Sequence, residues 1–281
     1  MKVALSKRQK FIAATILLLA GIVLIRLGIF EGVSWRLRVA GFALFSLPVT
    51  LISLWDEDLS GVEVFILPIL PICVAVGSVL VYPLLPVRLD SFLIFNVSSD
   101  TSLLLSILMK LVFLAIFVVG YYASLLTSNI YNVAAVRGIQ LLRVAQSIGF
   151  LLAVASALMF YLVIASFHLS NLVNLITVFG VSLLLAFYTI WSVGLQSRVS
   201  ARVVGFSLVT ALILGQIAWA LSFWPVSVSI FALFLTAIFY EAVGIIQYHL
   251  NERLNRRVVN EFVMVAAVII FLIGLTATWG A

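Results

Sequence analysis

Long apolar runs constrain this chain more than any other feature of its sequence. Residues 11–30, 61–82, 203–224 and 226–248 each run for twenty residues or more with at most one charged side chain. An α-helix rises about 1.5 Å per residue, so about twenty residues cross the ~30 Å hydrocarbon core of a bilayer. In lipid, every backbone N–H and C=O must find a partner within the protein, which leaves helices or a closed barrel. Barrel strands alternate apolar and polar residues over about ten positions. The runs here do not alternate, so the sequence predicts helices. Composition agrees, with 65% hydrophobic and 9% charged residues and a mean hydropathy of +1.31. Soluble domains carry about 25% charged residues, and they need that polar cover.

The sequence predicts an all-α, polytopic transmembrane helix bundle, with residues 1–281 as a single integral membrane domain. Nine spans are expected, near 11–30, 37–55, 61–82, 101–125, 144–168, 172–195, 203–224, 226–248 and 258–279. Lys2, Lys7, Arg8 and Lys10 precede the first run as in a signal peptide, but no small-residue cleavage site follows. This segment reads as a retained first helix.

Loop charges orient the chain. With nine spans, one side carries eleven basic residues, among them Lys7, Arg137, Arg143, Arg198, Arg202 and Arg253, and the other carries Arg26, Arg36, Arg38 and Arg88. The positive-inside rule then places the N-terminus in the cytoplasm and the C-terminus outside, in the cell membrane. Arg36 and Arg38 fit this least well, and Glu31 is a candidate partner. The net charge of +6 is spread over short loops. It suits anionic headgroups rather than nucleic acid.

Two connections are long. The outer one, 83–100, contains the glycosylation triplet Asn96-Val97-Ser98, which is common by chance. In the inner one, 126–143, the residues Asn129, Asn132, Gln140 and Arg143 fall within one arc at 100° per residue. Spans four and five are therefore expected to continue as helices past the bilayer, with Gly138 as the break. The stripe with Arg137 is a candidate cytoplasmic surface, and a solvated helix end is the simpler reading.

Positions 38–44 read Arg-Val-Ala-Gly-Phe-Ala-Leu, and 202–208 read Arg-Val-Val-Gly-Phe-Ser-Leu. The shift maps span two onto span seven. An odd shift inverts direction, so the pairing suggests an inverted-topology repeat of the kind secondary transporters use. Coincidence in a chain rich in Val, Leu and Ile is the simpler reading.

Charges inside a bilayer cost about 2.5–3.5 kcal/mol each and need a reason. Lys110, nine residues into span four, is expected near mid-bilayer, with Glu241 of span eight somewhat deeper. They are candidate intramembrane functional residues, for an ion, a proton or a substrate. A structural pair joining two helices is the simpler reading. Glu63 and Glu261 each open a span, where the helix dipole favours an acid. Gln146, Asn174 and Gln216 are expected to bond across helices. Pro68 and Pro71 remove backbone donors in span three, and a broken helix there would free carbonyls for a ligand.

No P-loop, H-E-x-x-H or C-x-x-C pattern occurs, and no metal or other cofactor is expected. The run Asp56-Glu57-Asp58 after span two, with nine spans in all, resembles the membrane prenyltransferases of the UbiA type. That resemblance implies magnesium diphosphate held by spaced aspartates. Here the acids are consecutive, and the loop after span six, 197–202, has none. The stretch Asn129-Ile130-Tyr131-Asn132 through Arg137 and Arg143 resembles uncharacterised multi-pass membrane families from bacterial genomes. That resemblance implies no function.

The leading expectation is a small-solute or ion permease. The alternatives are a structural or assembly protein binding partner membrane proteins or lipids, and a lipid-modifying enzyme. An enzyme is the less favoured class. Expected partners are the bilayer, a solute or ion, and other membrane proteins.

Overall fold

Serine and asparagine set where several helices begin, because a side-chain oxygen there accepts from a backbone N–H that the helix leaves unpaired. Ser6 Oγ accepts from Gln9 N at 3.3 Å while Gln9 Oε1 accepts from Ser6 N at 2.9 Å, a reciprocal capping box. Ser200, Ser227 and Asn255 accept from Val203 N, Ile230 N and Val258 N in the same way. The computed structural model describes residues 6–27, 32–55, 61–86, 99–136, 141–196 and 198–276.

The elements in order are α1 Lys7–Arg26, α2 Trp35–Leu54, α3 Glu63–Ile66, α4 Ile69–Val81, a 3-10 turn Tyr82–Leu84, and α5 Ser99–Val136. Then follow α6 Leu142–Ser166, α7 Asn171–Gly194, α8 Ala201–Leu221, α9 Val228–Leu250 and α10 Arg256–Thr276. The fold is an all-α helical bundle. Among the described residues, eight helices are long and apolar enough to cross a membrane, counting Glu63–Leu84 as one. The ninth expected span coincides with α10, a helix of 21 residues.

α4 is the most enclosed of these helices and packs against α2, α5, α6 and α7. One core joins α1, α2, α4 and α5 and takes in Ala145 and Ala153 of α6 and Tyr188 and Trp191 of α7, and a second joins α6 to α9 with Cys73 of α4. Large side chains fill both: Tyr121, Tyr131, Tyr161, Tyr188 and Phe239 are wholly buried. Their hydroxyls mostly find partners, as a polar group away from water must. Tyr121 Oη lies 2.9 Å from Thr50 Oγ1, Tyr161 Oη 2.7 Å from Ser182 Oγ, and Tyr131 Oη donates to the Ala145 carbonyl at 3.1 Å. α7 and α8 make the closest pair. A Cβ at Gly215 would stand 3.2 Å from the Leu175 carbonyl oxygen, so the missing side chain favours that close approach.

The two prolines act less drastically than expected. Leu67 and Pro68 keep right-handed helical backbone, with φ/ψ of −59°/−36° and −72°/−16°, so the chain from α3 into α4 is kinked and not unwound. Pro71 cannot donate to the Leu67 carbonyl. Ser128 Oγ of α5 donates to it instead, at 2.8 Å. The freed carbonyl is therefore capped by the protein and is not open to a ligand.

α5 continues past the apolar run to Val136, the extension that the polar stripe suggested, while α6 begins at Leu142, close to the expected 144. Gly138 lies outside the described residues. At 38 residues α5 is about 57 Å long, well beyond the ~30 Å of a hydrocarbon core.

Along the two stretches that the 38–44 and 202–208 pairing relates, each helix packs on the next in the chain, α2 on α4 and α4 on α5, α8 on α9 and α9 on α10, as successive helices of any such bundle do. The halves also differ: α9 is continuous where its counterpart is kinked, and α1 packs on α5 whereas α7 packs on α9.

A candidate site at the basic end of the bundle

The Lys7 ammonium donates to Asn129 Oδ1 at 2.8 Å, which brings the start of α1 level with the late part of α5. The same end of the bundle carries Arg143, Arg198, Arg202 and Arg253. Here a groove of about 460 Å³ opens between α6, α9 and α10.

Helical periodicity builds its walls. On α6, Arg143, Gln146, Ser147, Phe150, Leu151 and Val154 recur at intervals of three and four and so share one face. On α9, Tyr240, Gly244, Gln247, Tyr248 and Asn251 do the same, and Phe262 of α10 closes the side. The two faces run antiparallel, so both are polar at the basic end and apolar deeper in. Phe150 stacks on Tyr240 at 5.4 Å between ring centroids, and Phe262 lies 6.1 Å from Tyr240. Two adjoining hollows of about 800 and 490 Å³ share Asn251 with the groove; the larger adds no new charge, and the smaller adds Arg198 and Arg202. No acidic residue lines any of the three among the described residues.

Backbone geometry aims Arg253 at this opening. Two residues past the end of α9, Glu252 stands in the left-handed region at φ 57°. Arg253 N donates to the Tyr248 carbonyl at 2.9 Å, which folds the chain back across the helix end. Gln146 Nε2 donates to the Ser192 carbonyl at 2.9 Å, and Gln247 Nε2 donates to the Thr189 carbonyl at 3.2 Å. These bonds tie α6 and α9 to α7, so both walls rest on the second core.

The candidates from the sequence scatter. Arg143 lines the groove. Asn129 bonds Lys7 and faces α1. Asn132 is buried, and its Oδ1 has no partner. Arg137 and Gln140 lie outside the described residues, as do Glu31, Asp56–Asp58 and the triplet 96–98. The expected single polar arc is thus divided between two helices.

Lys110 and Glu241 form no ion pair. They sit on α5 and α9, which pack on α6 rather than on one another. Nineteen residues separate Lys110 from Asn129, as nineteen separate Arg26 from Lys7, about 28 Å along either helix. Since α1 packs on α5, with Phe11 and Tyr122 rings 6.5 Å apart, Lys110 lies level with Arg26. It therefore stands at the far end of the bundle and not in its middle. Glu241 lies well inside α9, and its Oε1 is buried with no hydrogen-bond partner. Neither residue lines the grooves described above.

Of the remaining polar residues, Asn174 Nδ2 donates to Ser222 Oγ at 3.0 Å, joining α7 to the end of α8, while Gln216 faces outward. Glu63 stands in the first turn of α3 as expected. Glu261 does not begin its helix: Asn255 caps α10, and Glu261 pairs instead with Arg257 at 3.4 Å.

Sequence reasoning missed the α9 wall and Phe262. The 143/146/147/150/151/154 spacing was readable, but the pairing of α6 with α9 rests on a contact nearly a hundred residues apart in the chain.

Helices of this length and apolarity, packed through tyrosines and small residues, define an all-helical membrane protein. The chain belongs to a protein family of unknown function, DUF5656, whose model matches residues 54–276. No curated protein and no solved structure matches it.

Proposed function

We propose that this is a multi-pass protein of the cell membrane that works by binding, as a structural or assembly component for lipids or partner membrane proteins. The observation that carries this reading is the basic, acid-free groove, open to the outside of a bundle whose centre is filled by buried tyrosines. The N-terminus and the groove lie on the cytoplasmic side by the positive-inside rule, with the C-terminus outside. The fold acts as one integral domain, since both cores share α6 and α7 as neighbours.

A small-solute or ion permease is the second reading. The buried, unpartnered Oε1 of Glu241 favours it. Pro68 and Pro71 favour it less now that Ser128 caps the Leu67 carbonyl. A lipid-modifying enzyme draws no support from the groove, where no carboxylate of the kind that holds magnesium diphosphate lies among the described residues.

Flux across sealed proteoliposomes separates the two. The binding reading predicts proton and ion fluxes equal to those of protein-free liposomes. A protein-dependent flux abolished by Glu241→Gln would establish the permease reading instead.

A further inference from the structure

We infer that the groove between α6, α9 and α10 is a binding site for an anionic glycerophospholipid, seated from the side of the bilayer with its phosphate at Arg143 and Arg253. This rests on the binding reading above and names its ligand.

The lining is ordered like the ligand. Going inward along α6, the groove passes from Arg143 through Gln146 and Ser147 to Phe150, Leu151 and Val154. That is eleven residues, or about 16 Å, which is the scale of a headgroup with the upper part of an acyl chain. The facing wall has the same order, Asn251 and Gln247 before Gly244 and Tyr240. A soluble anion would use the polar end and leave the aromatic end empty. A neutral partner helix would use the apolar end and leave two guanidinium groups unmatched. An anionic lipid uses both.

Charge selects the headgroup. Arg143 and Arg253 line one opening, no acid lines it, and neither forms an ion pair among the described residues. Guanidinium groups bind phosphate through paired N–H donors. Gln146 and Gln247 spend an amide N–H on the α7 backbone, which leaves each amide oxygen free to accept from a glycerol hydroxyl. Gly244 keeps the floor low, since a Cβ there would meet the Phe262 ring at 3.0 Å.

The test is native mass spectrometry of the full chain in a mild detergent, titrated with phosphatidylglycerol and, in parallel, with phosphatidylcholine. The expected result is preferential retention of phosphatidylglycerol, lowered about tenfold or more in the Arg143→Gln/Arg253→Gln double variant, as two lost phosphate contacts imply. Arg256→Gln/Arg257→Gln, at the same end but outside the groove lining, should retain it. Val154→Trp, which fills the apolar end without touching charge, should lower adducts of either lipid. Free glycerol phosphate should not compete. Equal binding of both lipids by the wild type, or equal loss from the two arginine pairs, would overturn the site, the latter by showing diffuse surface charge. Competition by glycerol phosphate would also overturn it, in favour of a soluble anion. The liposome flux measurement reads the binding proposal separately, so a failed lipid site with no flux leaves that proposal to protein partners.

Discussion

Ser128 carries one of the more consequential single hydrogen bonds in the bundle. Its hydroxyl replaces the donor that Pro71 removes from the Leu67 carbonyl, at 2.8 Å and fully buried. Ser128→Ala leaves that carbonyl bare, and an unsatisfied buried acceptor costs about 1–3 kcal/mol. Pro71→Ala restores a backbone N–H to the same carbonyl. The double variant should therefore be more stable than Ser128→Ala alone, read as the thermal midpoint in one detergent. Equal midpoints for the two would refute the compensation. The serine was invisible in the sequence, because 61 positions separate it from the carbonyl it serves. Lys110 shows the opposite error. Counting from the start of an apolar run placed it at mid-bilayer, but α5 extends eleven residues past the expected end at 125. The true level was set by Lys7 and Asn129, a contact no local pattern announces.

Helices were the most legible part of this chain. Each apolar run of about twenty residues became a long helix, since lipid leaves the backbone little alternative. The break expected between 224 and 226 also lies where Pro225 stands, between the end of α8 at Leu221 and the start of α9 at Val228. Helix neighbours were not legible, because in lipid they are chosen by close packing of small residues and not by an apolar face. Gly215 and Gly244 show the difference that packing makes. At Gly215 a Cβ would stand 3.2 Å from backbone of α7, which would have to give by a few tenths of an ångström. At Gly244 it meets the tip of the Phe262 ring, and α10 packs chiefly on α9. Gly215→Ala should lower stability by about 1–3 kcal/mol, the usual cost of overpacking. Gly244→Ala should leave the midpoint nearly unchanged while speeding proteolysis of the segment before α10. A larger midpoint loss at Gly244 than at Gly215 would contradict this account of α10 as the loosely held helix.

At the scale of the whole molecule, two cores meet on α6 and α7, and the hollows lie towards the two ends: three at the basic end, and smaller ones of about 340 and 240 Å³ beside Arg38 and beside Asn174 at the opposite end. Tyrosines fill the centre of the bundle, where Tyr131 and Tyr188 are wholly buried with ring centroids 6.1 Å apart. Neither Lys110 nor Glu241, nor any other acid among the described residues, lines the groove, whereas the polar-to-apolar gradient on α6 and α9 is a property of the assembled pair. Half of that gradient, on α6, could be read from spacing, and the other half needed the fold. The central claim is a dry interior with its working surface at the basic end, and two-sided thiol labelling tests it most directly. With Cys73→Ser as background, single cysteines at positions 147 and 241 are exposed to a membrane-impermeant reagent in sealed vesicles of each orientation. The account predicts that position 147 reacts from the cytoplasmic side only and that position 241 reacts from neither. Reaction of position 241 from either side would reveal water at Glu241 and contradict it.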